Sequence, residues 1–180
     1  MQLWMTPDLS RTIAEHARKS QPDECCGVML GVGNHVTQVM PVPNIAENPR
    51  NNYRMDDKTV VELFLRAERE QQKIIGFYHS HPRTAPIPSQ SDIRLATYPD
   101  TAYLIVGFRG EETHLAAWSI KRDRVEPIKV IVSREEPPPE PEPLSQTHKR
   151  AVILAACIAF AFLVVLSLSL LPPAPIIPGH

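Results

Sequence analysis

The stretch His79-Ser80-His81-Pro82-Arg83-Thr84-Ala85-Pro86-Ile87-Pro88-Ser89-Gln90-Ser91-Asp92 follows directly on the apolar run Lys73-Ile74-Ile75-Gly76-Phe77-Tyr78. The run predicts a strand that continues through His81 and stops at Pro82, which has no N–H to give to a sheet ladder. Strand side chains alternate with period two, so His79 and His81 point to one face and can converge on one ion. Beyond the Pro-rich turn, Asp92 can supply a third ligand. Two nitrogens and one oxygen leave the fourth position of a tetrahedral zinc to water, and that open position separates a catalytic zinc from a structural one.

Each part also has a plainer reading. On spacing alone, His79 and His81 are equally well read as strand histidines satisfied by hydrogen bonds. Ser89-Gln90-Ser91-Asp92 matches a helix capping box, with Ser89 at the cap and Asp92 three residues later, ahead of the apolar Ile93 and Leu95. The two readings of Asp92 are compatible, because one carboxylate oxygen can bind a metal while Ser89 fixes the start of the helix.

Upstream, Thr6-Pro7 followed by Leu9, Ile13, Ala14 and Ala17 predicts a capped amphipathic helix that stops near Gln21-Pro22. His16, inside it, reads as a partly exposed surface histidine. Asp23 to Val32 is an apolar run suited to a buried strand, with Glu24 at its mouth and Cys25 and Cys26 as small packing residues. Gly33-Asn34 is a turn signal, and His35 to Val42 is the return strand of a hairpin. Pro43 to Met55, rich in Asn, Pro and Arg, reads as a long irregular loop of the kind that carries function. Asp56 or Asp57 caps a second helix, with Val60, Val61, Phe64 and Ala67 as its apolar stripe.

Downstream, Ser89 to Tyr98 predicts a short helix. Ala102 to Phe108, Thr113 to Lys121 and Val125 to Val132 follow as a meander of three strands. This mixture of hairpin, helices and meander predicts an α+β or mixed α/β layered domain over residues 1–133. Residues 134–150 are a linker of interleaved Pro and Glu with Lys149 and Arg150 as a basic flank, extended and without a core of its own. Ala151 to Leu171 carries no charge and is long enough to span a hydrocarbon core of about 30 Å, so it predicts a transmembrane helix. A buried core helix would need a domain around it, and only residues 172–180 follow as a short tail. Lysine and arginine lie only on the N-terminal side of this segment, which places the N-terminal domain in the cytoplasm.

The chain has 180 residues, a formal net charge of -1 and 43% hydrophobic residues. Its Lys and Arg are scattered and form no stripe, so a nucleic-acid partner is not expected. Three cysteines, two of them adjacent, do not make a paired extracellular framework and point to a reducing compartment. Met1 to Pro7 has no basic region followed by an apolar core, so no signal peptide is expected there.

Taken together, Glu24, His79-Ser80-His81-Pro82, Ser89 and Asp92 resemble the signature of the JAMM metallopeptidase family, also called JAB or MPN-plus. That signature is a distant Glu, then His-Ser/Thr-His-Pro, then a Ser and an Asp at the spacing found here. The resemblance extends to Pro22 to Gly27, Asn51 to Met55 and Gly76 to Tyr78, and covers about residues 1–133. It implies an MPN/JAB-like layered domain, with a central mixed sheet flanked by helices, of the short prokaryotic type. It further implies Zn²⁺ held by His79, His81 and Asp92, Glu24 as general base and acid, and Ser89 as a donor to the oxyanion. The substrates it implies are ubiquitin-like or sulfur-carrier proteins, cut after the C-terminal glycine. The transmembrane tail departs from the usual soluble form of such proteins and makes membrane-side substrates or a membrane complex plausible. The alternative is a non-catalytic MPN-type scaffold organising a membrane-associated complex. Scaffold members lack one or more ligands, whereas here all five residues are present.

Overall fold

β4 (Lys73–His81) is a strand on which the sheet changes its pairing sense. On one side it pairs antiparallel with β2 (Cys26–Val32), and on the other it runs parallel to β5 (Ala102–Arg109). A parallel neighbour cannot be reached by a tight hairpin. The chain therefore leaves β4 at Pro82 and returns through a loop and the short helix that here takes the label α3 (Gln90–Leu95). The candidate ligands lie on this crossover.

The computed structural model describes residues 2–110, 112–121, 124–138 and 146–169. The chain divides into two compact units, residues 1–140 and residues 141–180. In the first unit the remaining elements are β1 (Gln2–Met5), α1 (Pro7–Ser20), β3 (His35–Val42), α2 (Asp57–Arg69), β6 (Glu112–Lys121) and β7 (Arg124–Val132). The seven strands close into a barrel in the order β1-β3-β2-β4-β5-β6-β7. The sequence predicts an α+β layered sheet, and a mixed sheet with helices packed on it is found, but its edges meet. β1 closes it, running parallel to β7 from Gln2↔Lys129 to Met5↔Val132 and touching β3 at Trp4↔His35. Its side chains are buried, and Trp4 fastens it by stacking on His35 at 3.8 Å and donating from Nε1 to the Ser133 carbonyl at 3.1 Å. Four residues are too few for an alternation to stand out, which is why this strand is silent in the sequence.

Alternation along β4 sorts the core into two faces. Tyr78 packs with Leu3, Met29 and Leu104, and with Ile13 and Ala17 of α1. Phe77 packs with Val28, Leu30 and Tyr103, and with Leu63 and Ala67 of α2. Each fully buried large apolar side chain contributes about 1.5–3 kcal/mol. His79 and His81 share the parity of Phe77 and so belong to the α2 face.

Two local expectations change. The buried stripe of α2 is Leu63 and Ala67 with Val60 packed beside them, whereas Val61 is 57% exposed and Phe64 lies at the rim, 5.7 Å from Tyr98. Leu63, three residues after Val60 and four before Ala67, is the residue at helical spacing. Next, α3 ends at Leu95, short of Tyr98. The Tyr103 hydroxyl accepts from the Tyr98 N–H at 3.0 Å and donates to the Tyr98 carbonyl, and the Tyr98 ring stacks on Phe77 at 4.9 Å, which holds that residue in an extended turn. His16 is partly exposed, as expected from the sequence, and it has a partner. Its Nδ1 lies 2.9 Å from the Tyr78 hydroxyl, and burial lowers its pKa. Elsewhere α1 starts with Thr6 accepting from Leu9 N–H, and α2 with Asp56 accepting from Thr59 N–H.

In the second unit, α4 (Gln146–Ser169) is a single helix. Arg150–Ser167 has a mean hydropathy of 2.5 and no buried residue. Residues 139–145 of the Pro/Glu linker, Leu170 and Leu171 at the end of the predicted span, and the tail 172–180 lie outside the described residues.

The loop between β4 and α3 is pinned to the barrel. Trp118 Nε1 donates to the Pro86 carbonyl at 2.9 Å, and a Cβ on Gly107 would stand 2.6 Å from Pro86 Cδ and 2.9 Å from Pro86 N. Neither a proline ring nor a backbone nitrogen can swing aside. Gly107→Ala is expected to cost about 1–3 kcal/mol, measured as a lower urea midpoint at unchanged slope.

Candidate metal centre

The β2–β4 register pairs Cys26 with His79. Two residues further toward the β2 start, Glu24 stands opposite His81. The intervening pair is locked: the Ser80 N–H donates to the Cys25 carbonyl at 3.0 Å, and the Cys25 N–H donates to Ser80 Oγ at 2.9 Å. The mouth of β2 is therefore fixed against the end of β4. Cys25 and Cys26 are buried, and burial pushes their thiols up to about 11 and about 12. They are packing residues, as expected from the sequence.

His79, His81 and Asp92 converge. The two Nε2 atoms are 3.0 Å apart, and Asp92 Oδ1 and Oδ2 lie 3.5 Å and 3.4 Å from His79 and His81 Nε2. All three residues are buried. His81 Nδ1 donates to the Ala85 carbonyl at 3.1 Å. A carbonyl only accepts, so in the neutral ring the proton is on Nδ1 and the Nε2 lone pair points at His79 and Asp92. Two imidazole nitrogens and a carboxylate aimed at one point can share a proton or hold a cation, and these three donor atoms are a suitable ligand set for a metal. Tetrahedral zinc with ligand bonds of about 2.0–2.1 Å has ligand–ligand edges of about 3.3–3.4 Å, close to the separations here. The residues fit the metal.

Asp92 does two jobs. Its Oδ2 accepts from the Ser89 N–H at 2.7 Å while Ser89 Oγ accepts from the Asp92 N–H at 3.2 Å, so the capping box is complete and the carboxylate is held by its own helix start. Burial would raise its pKa. The hydrogen bonds to His79, His81 and Ser89 and the His79 charge outweigh that and hold the carboxyl far below the usual range. Burial lowers His79. For His81 burial is outweighed by Asp92, the Ala85 carbonyl and Glu24, and its pKa rises. Glu24 is 8% exposed, and burial pushes its carboxyl up to about 7, with the His81 charge opposing and the Asp92 charge adding to the rise. The Ser89 hydroxyl stays exposed at the rim, 3.1 Å from Ser91 Oγ.

Two further residues belong to this centre: Tyr53, which lies in the Asn51 to Met55 segment of the family resemblance, and Asn44, which carries no signal in the sequence beyond lying in the loop 43–55. The Tyr53 ring stacks on His79 at 4.2 Å. Asn44 ties the loop together: its Nδ2 donates to the Glu24 carbonyl at 2.8 Å and the Asn52 carbonyl at 3.1 Å, and its Oδ1 accepts from Ala46 and Arg54 N–H at 3.0 Å each. The Glu24 N–H in turn donates to the Pro49 carbonyl at 2.7 Å. A groove of about 230 Å³ opens beside Tyr53, lined also by Arg54, Met55, Phe77, Leu95 and Tyr98.

A mixed barrel thus brings a His-x-His pair, a capping aspartate and a buried glutamate together at one strand end as a candidate metal centre. The model of prokaryotic homologues of the JAB domain matches residues 6–121, and the chain belongs to this family, the prokaryotic branch of the JAB/MPN JAMM proteins. It is similar to a desampylase of Haloferax volcanii, 36% identical over 117 residues that make up 62% of this chain and 84% of the relative. It is also similar to a CysO-cysteine peptidase of Mycobacterium tuberculosis, 33% identical over 129 residues, 69% of this chain and 88% of the relative. Among solved structures, one of a protein from Desulfitobacterium hafniense matches with a TM-score of 0.67 at 28% identity, covering 74% of this chain and 94% of the other.

Removing a ligand side chain, as in His79→Ala or Asp92→Ala, is expected to abolish stoichiometric zinc binding, read by metal analysis of the dialysed protein. The Glu24 shift has its own consequence in the metal-free chain. The folded carboxyl holds its proton up to about 7 and the unfolded one only to 4.5, so stability falls as pH rises through that window. Glu24→Gln therefore melts several degrees higher than the wild type at pH 8 in chelator, and the gap closes toward pH 4.5.

Proposed function

We propose that this chain is a zinc-dependent hydrolase that cuts the peptide or isopeptide bond after the C-terminal glycine of a ubiquitin-like or sulfur-carrier protein. The observation that carries the proposal is the convergence of three ligand atoms beside a buried carboxyl, Glu24, poised near neutral pH. The named activities of its relatives, a desampylase and a CysO-cysteine peptidase, point the same way.

Zinc held by His79, His81 and Asp92 would supply a Lewis acid that brings a water's pKa to about 7. Glu24 takes the proton of the attacking water and returns it to the departing amine. A pKa near the working pH suits both transfers. Ser89 Oγ accepts from the Asp92 N–H, which leaves its own proton for the oxygen of the polarised carbonyl. Asn44 and Pro49 hold the Glu24 backbone in place, through its carbonyl and its N–H. A non-catalytic scaffold would have no use for a buried carboxyl of this kind opposite His81, and the retention of all five residues favours the enzyme.

The second part of the proposal is the anchor. At about 1.5 Å per residue, the 24 residues of α4 exceed a hydrocarbon core of about 30 Å. Lys149 and Arg150 on its N-terminal side favour a cytoplasmic N-terminal unit.

The zinc-loaded full chain is expected to release a carrier protein from a conjugate joined through its C-terminal glycine. Glu24→Gln should lower kcat by about 10²- to 10⁴-fold while one zinc per chain is retained. Full activity in that variant would overturn the mechanism. Carbonate washing of membranes is expected to leave the full chain in the pellet, and its extraction would overturn the anchor.

A further inference from the structure

Tyr53 occupies a position that no other described residue shares. It packs face to face on His79 and it also lines the groove that opens away from the metal centre. A chain lying in that groove with its last carbonyl at the centre must therefore pass the Tyr53 ring. The ring is held from both sides of the backbone, because Asn44 accepts from the Arg54 N–H and donates to the Asn52 carbonyl. The same Asn44 amide donates to the Glu24 carbonyl, so wall and base are set by one side chain. Asn44 is closed further by its bond to Ala46, and the Ile45 N–H donates to the Arg54 carbonyl at 2.8 Å. The wall therefore cannot retreat without breaking several hydrogen bonds. The Tyr53 hydroxyl bonds to no protein group among the described residues. It is not fully enclosed, although burial raises its pKa.

We infer that Tyr53 is the specificity-determining residue of this centre, a reading that rests on the proposed hydrolase function. Its ring occupies the space that a Cβ on the last residue before the scissile bond would need, which admits glycine and turns away alanine. Its hydroxyl donates to a backbone carbonyl of the extended tail and so fixes the tail in the groove. Asn44 is the positioning residue that keeps the ring there.

The test uses the full zinc-loaded chain and two peptides that end Gly-Gly or Gly-Ala, each joined through its last carboxyl to a lysine side chain. Wild type is expected to prefer the Gly-Gly peptide by about 10- to 200-fold in kcat/KM, the range that one added methyl group commands in a fixed pocket. In Tyr53→Ala the preference should collapse toward unity, mainly through a gain on the Gly-Ala peptide. Tyr53→Phe should keep the preference and raise KM about 2- to 10-fold, the cost of one hydrogen bond. Anisotropy of the two labelled peptides on Glu24→Gln, with and without Tyr53→Ala, reads the same discrimination in binding alone. An unmoved preference in a zinc-replete Tyr53→Ala chain would overturn the inference and leave the hydrolase standing. A wild type that cuts neither peptide nor any carrier conjugate would overturn the function itself. Should Tyr53→Ala not fold, Asn44→Ala decides: a reduced preference with zinc retained supports the wall, and an unchanged one overturns it.

Discussion

Nε2 of His79, Nε2 of His81 and a carboxylate oxygen of Asp92 face one another within 3.5 Å in a buried site, a donor set that suits a metal ion. Burying polar atoms is costly unless they are held in bonding geometry, so the surrounding structure has to keep them in place. It does so with bonds that serve local folding as well. The capping box that starts α3 fixes Asp92, the Ala85 carbonyl sets the His81 tautomer, and the Tyr53 ring covers His79. Each support is an ordinary folding device placed where it also orients a ligand, which is how a centre gains rigidity at small added cost.

The barrel explains why these supports meet. β4 carries both histidines on one face because of its pleat, and its antiparallel pairing with β2 carries Glu24 to His81. Its parallel pairing with β5 forces a crossover, and the crossover delivers Asp92. A strand with antiparallel partners on both sides could have returned by a hairpin and would have had no helix start to offer. β1 closes the barrel by its ladder with β7 and a single bridge to β3.

What was legible beforehand follows from what leaves a periodic or positional mark. The histidine pair was legible because alternation in strands is a strict rule, Asp92 because capping boxes have fixed spacing, and α4 because composition alone reveals a long apolar helix. The layered α+β character was legible from the order of elements. Closure was not, since β1 is four residues long and finds its partner β7 more than a hundred residues away. Tyr53 and Asn44 were not legible as site residues because irregular loops have no period, and their hydrogen bonds reach residues far apart in sequence. The α2 stripe was misplaced by one position at Leu63, an error that pattern reading makes wherever apolar residues are present on more than one face of a helix.

The claim on which the account depends is that His79, His81 and Asp92 form one open zinc site. X-ray absorption at the zinc edge of the loaded full chain tests it most directly. The account predicts a single four-coordinate zinc with two imidazole nitrogens, one carboxylate oxygen and one further light atom from solvent. Sulfur in the shell, which would bring in Cys25 or Cys26, or a spectrum unchanged by His81→Ala, would contradict it.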